Sequence, residues 1–155
     1  MASGHDARLA ELGLTLPNAV APAANYMPAR RSGAFMYIAG QVPAADGKDQ
    51  FVGKLGQEVS IEDGQRAARL CAINILAQLR SALGGSLESV VGCVRLGGFV
   101  NAAPDFADHP KVINGASDLM VAVFGDAGRH ARAAVGCYSL PRNVAVEVDA
   151  IFEVR

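Results

Sequence analysis

The sequence predicts an α+β domain with the element order ββαβαββ, in which two helices pack on one face of a mixed sheet. In residues 144–154, apolar and polar side chains alternate, as they do in a strand with one buried face. Residues 60–83 instead repeat apolar side chains at the spacing of one helical face. Stretches of these two kinds are interspersed along the chain and separated by turns that contain Gly and Pro, so we expect helices that cover one face of the sheet.

The composition indicates one soluble domain without a nucleic-acid or membrane partner. The chain has 155 residues, 51% of them hydrophobic, which is enough to bury a core. The formal net charge is −1, whereas nucleic-acid binders usually carry a basic surplus. No apolar run approaches the roughly 18 residues of a membrane span, and the first residues lack the pattern of a signal peptide, so we expect a cytoplasmic protein. A mean hydropathy of +0.23 favours self-association.

The first twenty residues are predicted to form a peripheral helix and a connector, which lead into a single domain at residues 21–155. Asp6 is a suitable N-cap and Gly13 a suitable stop for a short helix. Pro17 and Pro22 then exclude a regular helix in the residues that follow.

The domain is predicted to begin with a β-hairpin. Residues 26–31 and 35–40 have the composition of strands, and Ser32 and Gly33 between them provide the turn. Residues 44–58 contain Asp, Lys and several glycines and are predicted to be a surface loop.

A long helix after Ser60 is the clearest element of the middle of the chain. Ser60 can cap its first turn, and Asp63 lies where a capping box has its acidic residue. Gly84 and Gly85 are predicted to end the helix.

A strand, a second helix and a turn are predicted next. Residues 90–101 are rich in Val, Leu and Phe, and the Gly97-Gly98 pair within them indicates a bulge or a close backbone approach. We expect a loop at residues 102–110, a helix at residues 111–124 and a turn at residues 125–128.

Residues 130–155 are predicted to form a pair of strands with a turn at residues 140–143, where Pro and Asn interrupt the apolar runs. Arg132 opens the first strand, and Glu147 lies on the polar face of the second. A strand pair can bring this guanidinium and this carboxylate into one cleft.

Arg132 and Glu147 are the candidate catalytic residues. Small residues at positions 134 and 136 leave room in front of Arg132, whose guanidinium can bind a planar carboxylate through two parallel hydrogen bonds. A partly buried Glu147 can orient or deprotonate water. The alternatives are a structural salt bridge for Arg132, for example with Glu147, and a place among the acids of a solvated strand face for Glu147.

Tyr26, Gly40 and Asn114 are candidate ligand-binding residues. Asn114 can offer its amide to a ligand, Gly40 its backbone, and Tyr26 a hydroxyl or a ring wall. Each also has a structural alternative, as a helix cap or surface residue, a turn glycine and a half-buried strand tyrosine respectively.

The sequence contains no motif for a metal or a cofactor, and we expect none. His5, His109 and His130 lack metal-ligand spacing and are predicted to be surface residues. The three cysteines are far apart and are predicted to be buried hydrophobic residues. Neither a phosphate-binding loop nor the G-x-S-x-G motif of serine hydrolases is present.

Several stretches resemble the RidA/YjgF family of reactive-intermediate deaminases, which are also labelled endoribonuclease L-PSP. These are A-P-A-A at 21–24, I-A-G-Q-V-P at 38–43, V-N at 100–101 before D-F at 105–106, V-I-N at 112–114, and A-R at 131–132 with L-P at 140–141 and V-E-V-D-A-I at 146–151. The first twenty residues and the stretches at 14–26, 114–119 and 128–132 resemble a longer-chain branch of that family.

The resemblance implies a chorismate-mutase-like homotrimer with clefts between its subunits and no cofactor. It implies that Arg132 binds the substrate carboxylate and that Glu147 positions the attacking water. Tyr26, Gly40 and Asn114 would complete the pocket. The implied substrates are enamines and imines of 2-amino acids, such as 2-aminoacrylate, which are hydrolysed to 2-keto acids and ammonia.

Two positions depart from the family pattern. Ala39 stands where serine is common, and Ala134 stands where cysteine is common, which makes the expected pocket less polar. Two alternatives therefore remain beside imine deamination. One is a non-catalytic trimeric binder of small carboxylates or 2-keto acids, and the other is an endoribonuclease, which the near-neutral charge opposes.

Overall fold

A computed structural model describes residues 3–155. Met1 and Ala2 belong to the N-terminal stretch in which no signal-peptide pattern was found, and they lie outside the described residues. The helices are α1 (His5–Glu11), α2 (Ile61–Ala82) and α3 (His109–Phe124), and the strands are β1 (Ala29–Ser32), β2 (Phe35–Gln41), β3 (Ala44–Ala45), β4 (Lys48–Asp49), β5 (Val90–Asn101), β6 (Ala131–Cys137) and β7 (Val146–Val154). Short 3₁₀ turns at Gly125–Gly128 and Pro141–Asn143 precede β6 and β7. Within the described residues, no helix is both long and apolar enough to cross a membrane.

The large sheet has the strand order β1-β2-β7-β5-β6, and all neighbours are antiparallel except β5 and β6. The predicted α+β class and the main order ββαβαββ are confirmed. The expectation that the last two strands pair is wrong, because β5 lies between them. The helix α3 connects β5 to β6, and a crossover of this kind returns the chain parallel to the strand that it left.

The core lies between one face of this sheet and the helices α2 and α3. Phe152 of β7, Leu96 of β5, Ile75 of α2 and Met120 of α3 meet there and are fully buried. Along β7 every second residue from Val146 onward is buried, which confirms the predicted alternation.

The opposite face of the sheet carries partly exposed apolar side chains. Phe35 and Tyr37 of β2 are 40% and 46% exposed, and Val135 of β6 is 48% exposed. Large exposed apolar patches on soluble proteins usually mark interaction surfaces.

The helix α2 begins as predicted and approaches α3 closely. Ser60 Oγ accepts a hydrogen bond from the backbone N–H of Asp63 at 3.1 Å. Where the two helices meet, a Cβ on Gly115 would overlap the backbone carbonyl of Gln65. Only glycine therefore allows α3 to lie this near to α2.

The glycine pair in β5 marks a close approach, as expected. A Cβ on Gly98 would lie 2.5 Å from Cγ1 of Ile113 on α3. The register irregularities of β5 lie nearer its start, between Val90 and Arg95, rather than at the glycine pair.

Three predicted boundaries need correction. Residues 26–28 do not join β1, which starts after Pro28, a residue without an N–H for the ladder. The helix α3 starts two residues earlier than predicted, because Pro110 is accepted in its first turn. The predicted loop at residues 44–58 contains the small β3–β4 hairpin, whose turn residues Asp46 and Gly47 both have positive φ.

The N-terminal segment packs onto the core. Leu9 of α1 and Leu16 of the connector belong to the buried cluster. Arg8 Nε donates a hydrogen bond to the carbonyl of Ala122 on α3 at 2.9 Å.

Buried Asn101 joins three segments at one end of the sheet. Its amide donates to the Asn143 side-chain oxygen at 3.0 Å and to the carbonyls of Val144 and Gly53 at 3.2 and 3.3 Å. Its oxygen accepts from Lys54 Nζ at 2.7 Å. One side chain thus connects the end of β5 with the turn in front of β7.

Candidate functional site

Arg132 lies near the start of the edge strand β6, on the helix-facing side of the sheet. It is paired in register with Leu96 of β5, whose side chain is in the core. Its Nη1 donates hydrogen bonds to Asn114 Oδ1 at 2.9 Å and to Ser117 Oγ at 3.1 Å, both on α3. The structure therefore brings Arg132 and Asn114 of the predicted site together.

The remaining edge of the Arg132 guanidinium is free. Within residues 3–155, Nε and Nη2 donate no hydrogen bond, and no carboxylate lies within ion-pair distance. Nε and Nη2 form one of the parallel donor pairs with which arginine binds a carboxylate. The salt bridge with Glu147 that we considered as an alternative is not formed within this chain.

A shallow cleft of about 290 Å³ opens beside Arg132. Besides Arg132 and its two partners on α3, the cleft is lined by Asp118, Val121, Arg129 and His130. Its volume is at the lower end of the range for small-molecule sites, so it suits a small ligand.

Glu147 lies on β7, half-buried, in register with Phe99 of β5. Its carboxylate lies against the backbone of Gly40, where a Cβ would overlap one carboxylate oxygen. The pairing of β2 with β7 shifts between Ile38 and Gln41, so a bulge at this point makes room for the glutamate. The structure thus brings Glu147 and Gly40 together.

The environment of Glu147 favours its protonated form. Burial raises the pKa of this carboxyl above its usual value, and the nearby negative charge of Asp149 raises it further. The positive charge of Arg142 acts in the opposite direction. A glutamate with a raised pKa is a stronger base than an exposed one.

Arg132 and Glu147 project from opposite faces of the sheet. Arg132 shares a row with Leu96 on the helix-facing side, whereas Glu147 alternates along β7 with the buried Val146 and Val148. The strand β5 also separates β6 from β7. One chain therefore carries two separate groups of predicted site residues, which we call half-sites: Arg132 with Asn114, and Glu147 with Gly40.

Tyr26 lies in the segment before β1 and is 53% exposed. Its backbone N–H donates to the carbonyl of Ala24 at 2.9 Å. Within residues 3–155, no hydrogen bond joins its hydroxyl to either half-site.

Ser117 and His130 contribute to the Arg132 half-site, although the sequence did not single them out for it. His130 Nε2 lies 2.9 Å from Ser117 Oγ, and His130 Nδ1 lies 2.7 Å from the carbonyl of Gly128. His130 was predicted to be a surface residue, and it is partly exposed and lines this cleft. Ser117 follows Asn114 by one helical turn, and this spacing was the signal that could have identified it.

Burial disfavours the thiolate form of the three cysteines. Burial raises the pKa of the Cys93 thiol to about 12, and burial raises the pKa of Cys71 well above its usual value. The pKa of the partly buried Cys137 is also raised, chiefly by burial. Among residues 3–155, no group of three or more His, Cys, Asp and Glu side chains could share a metal ion.

Comparison with known proteins gives a match over almost the whole chain. Residues 6–153 match the family described as "YjgF/chorismate mutase-like, putative endoribonuclease". The protein TCP17 of Trypanosoma cruzi is 46% identical over 150 residues, which are 96% of this chain and 93% of that protein.

Two solved structures are similar in both sequence and fold. The protein Atu1372 of Agrobacterium tumefaciens, described as having unknown function, is 49% identical with a TM-score of 0.91, and the match covers 97% of this chain and 92% of that one. A "putative endoribonuclease" of Shewanella oneidensis is 35% identical with a TM-score of 0.93, and the match covers 98% of this chain and 100% of that one.

Proposed function

Because the chain belongs to the YjgF/chorismate mutase-like family, which includes RidA, we propose that it hydrolyses reactive enamines and imines of 2-amino acids to 2-keto acids and ammonia. The free edge of Arg132 in a small cleft is the observation that carries the proposal. A 2-imino acid presents a carboxylate next to its reactive carbon, so one bidentate contact also positions that carbon.

The proposed reaction needs only a bound carboxylate and a base. With the carboxylate on Nε and Nη2 of Arg132, the oxygen of a water molecule adds to the imine carbon, and Glu147 accepts a proton from that water. Glu147 passes this proton to the nitrogen. The C–N bond then breaks, the hydroxyl proton goes to the departing ammonia, and the carbonyl of the 2-keto acid forms. An enamine first gains a proton on carbon to become the imine.

We propose that the active site lies between subunits of a homotrimer. Because Arg132 and Glu147 project from opposite faces of one sheet, a second copy of the chain can supply the missing half. The apolar side chains on the open sheet face, such as Tyr37 and Val135, support association of this kind.

Release of 2-keto acid tests the proposal. Imines generated in situ by an amino-acid oxidase are offered to the wild-type protein, Arg132→Ala and Glu147→Gln. We expect kcat/KM to fall about 10- to 150-fold in Arg132→Ala, because a charge-assisted contact is lost. We expect a fall of roughly 10²- to 10⁴-fold in Glu147→Gln, because the base is lost.

Arg69→Ala is the matched control, since Arg69 is an exposed arginine of α2 outside this cleft. It should retain wild-type activity. Wild-type protein that accelerates no imine, or an Arg132→Ala variant as active as Arg69→Ala, would count against the deaminase.

A non-catalytic binder of 2-keto acids is the second candidate, favoured by the apolar residue Ala134 two positions after Arg132. Such a binder needs Arg132 but not Glu147. It predicts Arg132-dependent pyruvate binding that survives Glu147→Gln, without hydrolysis of any imine.

Endoribonuclease activity is the third candidate, because the family description and the Shewanella oneidensis relative carry that word. RNA binding would weaken steeply with salt, whereas a single contact between arginine and carboxylate weakens less. RNA cleavage that is lost at high salt, in a protein inactive on imines, would favour this candidate.

A further inference from the structure

A chain of hydrogen bonds runs from Arg132 into the wall of its cleft. Arg132 Nη1 donates to Ser117 Oγ at 3.1 Å, and Ser117 Oγ lies 2.9 Å from His130 Nε2. On the other side of its ring, His130 Nδ1 lies 2.7 Å from the carbonyl of Gly128. All three side chains line the cleft.

The carbonyl of Gly128 determines the direction of these bonds. A carbonyl only accepts hydrogen bonds, so His130 Nδ1 carries a hydrogen. The Nε2 atom of a neutral imidazole is then the acceptor, and the hydroxyl hydrogen of Ser117 points toward it. In this state Ser117 has no hydrogen to offer to a ligand.

Protonation of the imidazole reverses the bond between Ser117 and His130. In the imidazolium both nitrogens are donors. The two lone pairs of Ser117 Oγ then accept from Arg132 and His130, and its hydrogen turns away from both. The freed hydrogen can donate to an anion in the cleft.

Building on the carboxylate site proposed above, we infer that Ser117 and His130 are further residues of that site and that the ligand binds together with a proton. A carboxylate on Arg132 receives a hydrogen bond from Ser117 when His130 becomes charged. Ser117 is the ligand-binding residue of the pair, and His130 is the positioning residue that orients the Ser117 hydroxyl.

The charges around His130 determine whether ligand binding favours or opposes its protonation. Arg132 and Arg129 lie on the same segment as His130, Asp118 faces the cleft from α3, and Asp126 of the 3₁₀ turn pairs with Arg129 at 3.3 Å. A bound carboxylate neutralises Arg132, so ligand binding favours protonation of His130.

Titration calorimetry with pyruvate, a small 2-keto acid, tests this inference. Binding is measured at pH 7 in buffers with different heats of ionisation, which gives the number of protons taken up. We expect uptake of a fraction of one proton by the wild-type protein. The Kd should fall about five- to tenfold from pH 8 to pH 6. Uptake of one whole proton would change the Kd by at most about tenfold per pH unit, so uptake of a fraction of a proton gives a smaller change.

Variants separate the two residues. His130→Gln should still bind pyruvate at pH 8 but take up no proton and show a nearly constant Kd. Ser117→Ala should lose most of the tightening at low pH. His109→Gln removes an imidazole at the start of α3, outside the cleft, and should behave as wild type.

A measurement on the unmodified protein does not depend on how the variants fold. In NMR spectra of the histidine rings, the titration of His130 should move to higher pH when pyruvate is added, while His5 and His109 should not respond. An unresponsive His130, or equal proton uptake by wild type and His130→Gln, would overturn the inference and leave the carboxylate site standing. If the wild type binds no pyruvate, or Arg132→Ala binds it equally well, the inference fails together with pyruvate binding at Arg132, while the release of 2-keto acid from imines separately decides the deaminase.

Discussion

Neighbouring charges act in opposite directions on the pKa of Glu147, and substitutions can remove them one at a time. Burial raises its pKa most, the charge of Asp149 raises it further, and the charge of Arg142 lowers it. Arg142 itself forms an ion pair with Asp49, with 2.9 Å between Nη2 and Oδ1. If Glu147 is the base, the pH dependence of the reaction should respond to both neighbours.

We predict that Asp149→Asn and Arg142→Gln shift the acid limb of the rate profile in opposite directions. The base acts in its charged form, so activity is present above the pKa of Glu147 and lost as pH falls through it. Asp149→Asn removes a cause that raises this pKa, so the loss should occur at lower pH. Arg142→Gln removes a cause that lowers it, so the loss should occur at higher pH.

The measurement is the rate of 2-keto acid release between about pH 4 and 8, with the imine supplied in excess. Glu153→Gln, a change in another acid of β7, serves as the control and should leave the limb in place. An acid limb that is the same in all variants would show that a group other than Glu147 controls it.

At the scale of single residues, the sequence predicted only part of the Arg132 half-site. Arg132, Glu147 and Asn114 were candidates because few residue types can bind a carboxylate or act on water, and the structure brings Arg132 and Asn114 together. Ser117 and His130 were missed, because a serine inside a helix and a histidine before a strand are common. Their meaning depends on the contact between α3 and β6, which local sequence does not encode.

Among the secondary-structure elements, the close contact of α2 and α3 makes a direct prediction. Gly115→Ala should lower the free energy of unfolding by about 2 kcal/mol, since overpacking a tight contact typically costs about 1–3 kcal/mol and here the obstacle is backbone. The higher helix propensity of Ala, worth about 1 kcal/mol, offsets only part of this. Urea denaturation measures the change.

Lys111→Ala is the matched control on the same helix, because Lys111 is exposed. It should change stability by less than about 0.5 kcal/mol. Equal stability of the Gly115→Ala and wild-type proteins would mean that the helices separate at little cost.

The elements themselves were predicted better than their arrangement. The cap at Ser60, the extent of β5 and the alternation of β7 follow from local rules, and the structure confirms them. The position of β7 between β2 and β5 does not follow from such rules. A strand that follows a turn can pair with the strand before the turn or with another strand of the sheet. The β3–β4 hairpin had a local signal in Asp46-Gly47, but its strands are too short to show an alternating pattern.

At the scale of the whole molecule, the separation of the half-sites allows a complementation test. Arg132→Ala and Glu147→Gln chains, each strongly impaired alone, are unfolded together in equal amounts and reassembled. If each site takes Arg132 from one subunit and Glu147 from another, about a quarter of the sites in random mixtures contain both residues. Activity should therefore return to roughly a quarter of the wild-type value.

A mixture of wild-type chains with the Arg132→Ala, Glu147→Gln double variant controls for refolding. Reassembled Arg132→Ala and Glu147→Gln chains that are no more active than the separate variants, while that control regains activity, would exclude a site shared between subunits. Light scattering on the same samples reports whether the assembly is the expected trimer.

The place of β7 in the sheet also bears on how the protein is made. The strand β7, which follows the other strands of this sheet in the sequence, pairs with β2 on one side and β5 on the other, at the middle of the sheet. Until it emerges, the N-terminal hairpin and the β5–β6 unit have no shared partner, and apolar residues such as Phe152 are missing from the core. A nascent chain therefore cannot complete this sheet before β7 has emerged, and until then it exposes unpaired strand edges to chaperones and to other nascent chains.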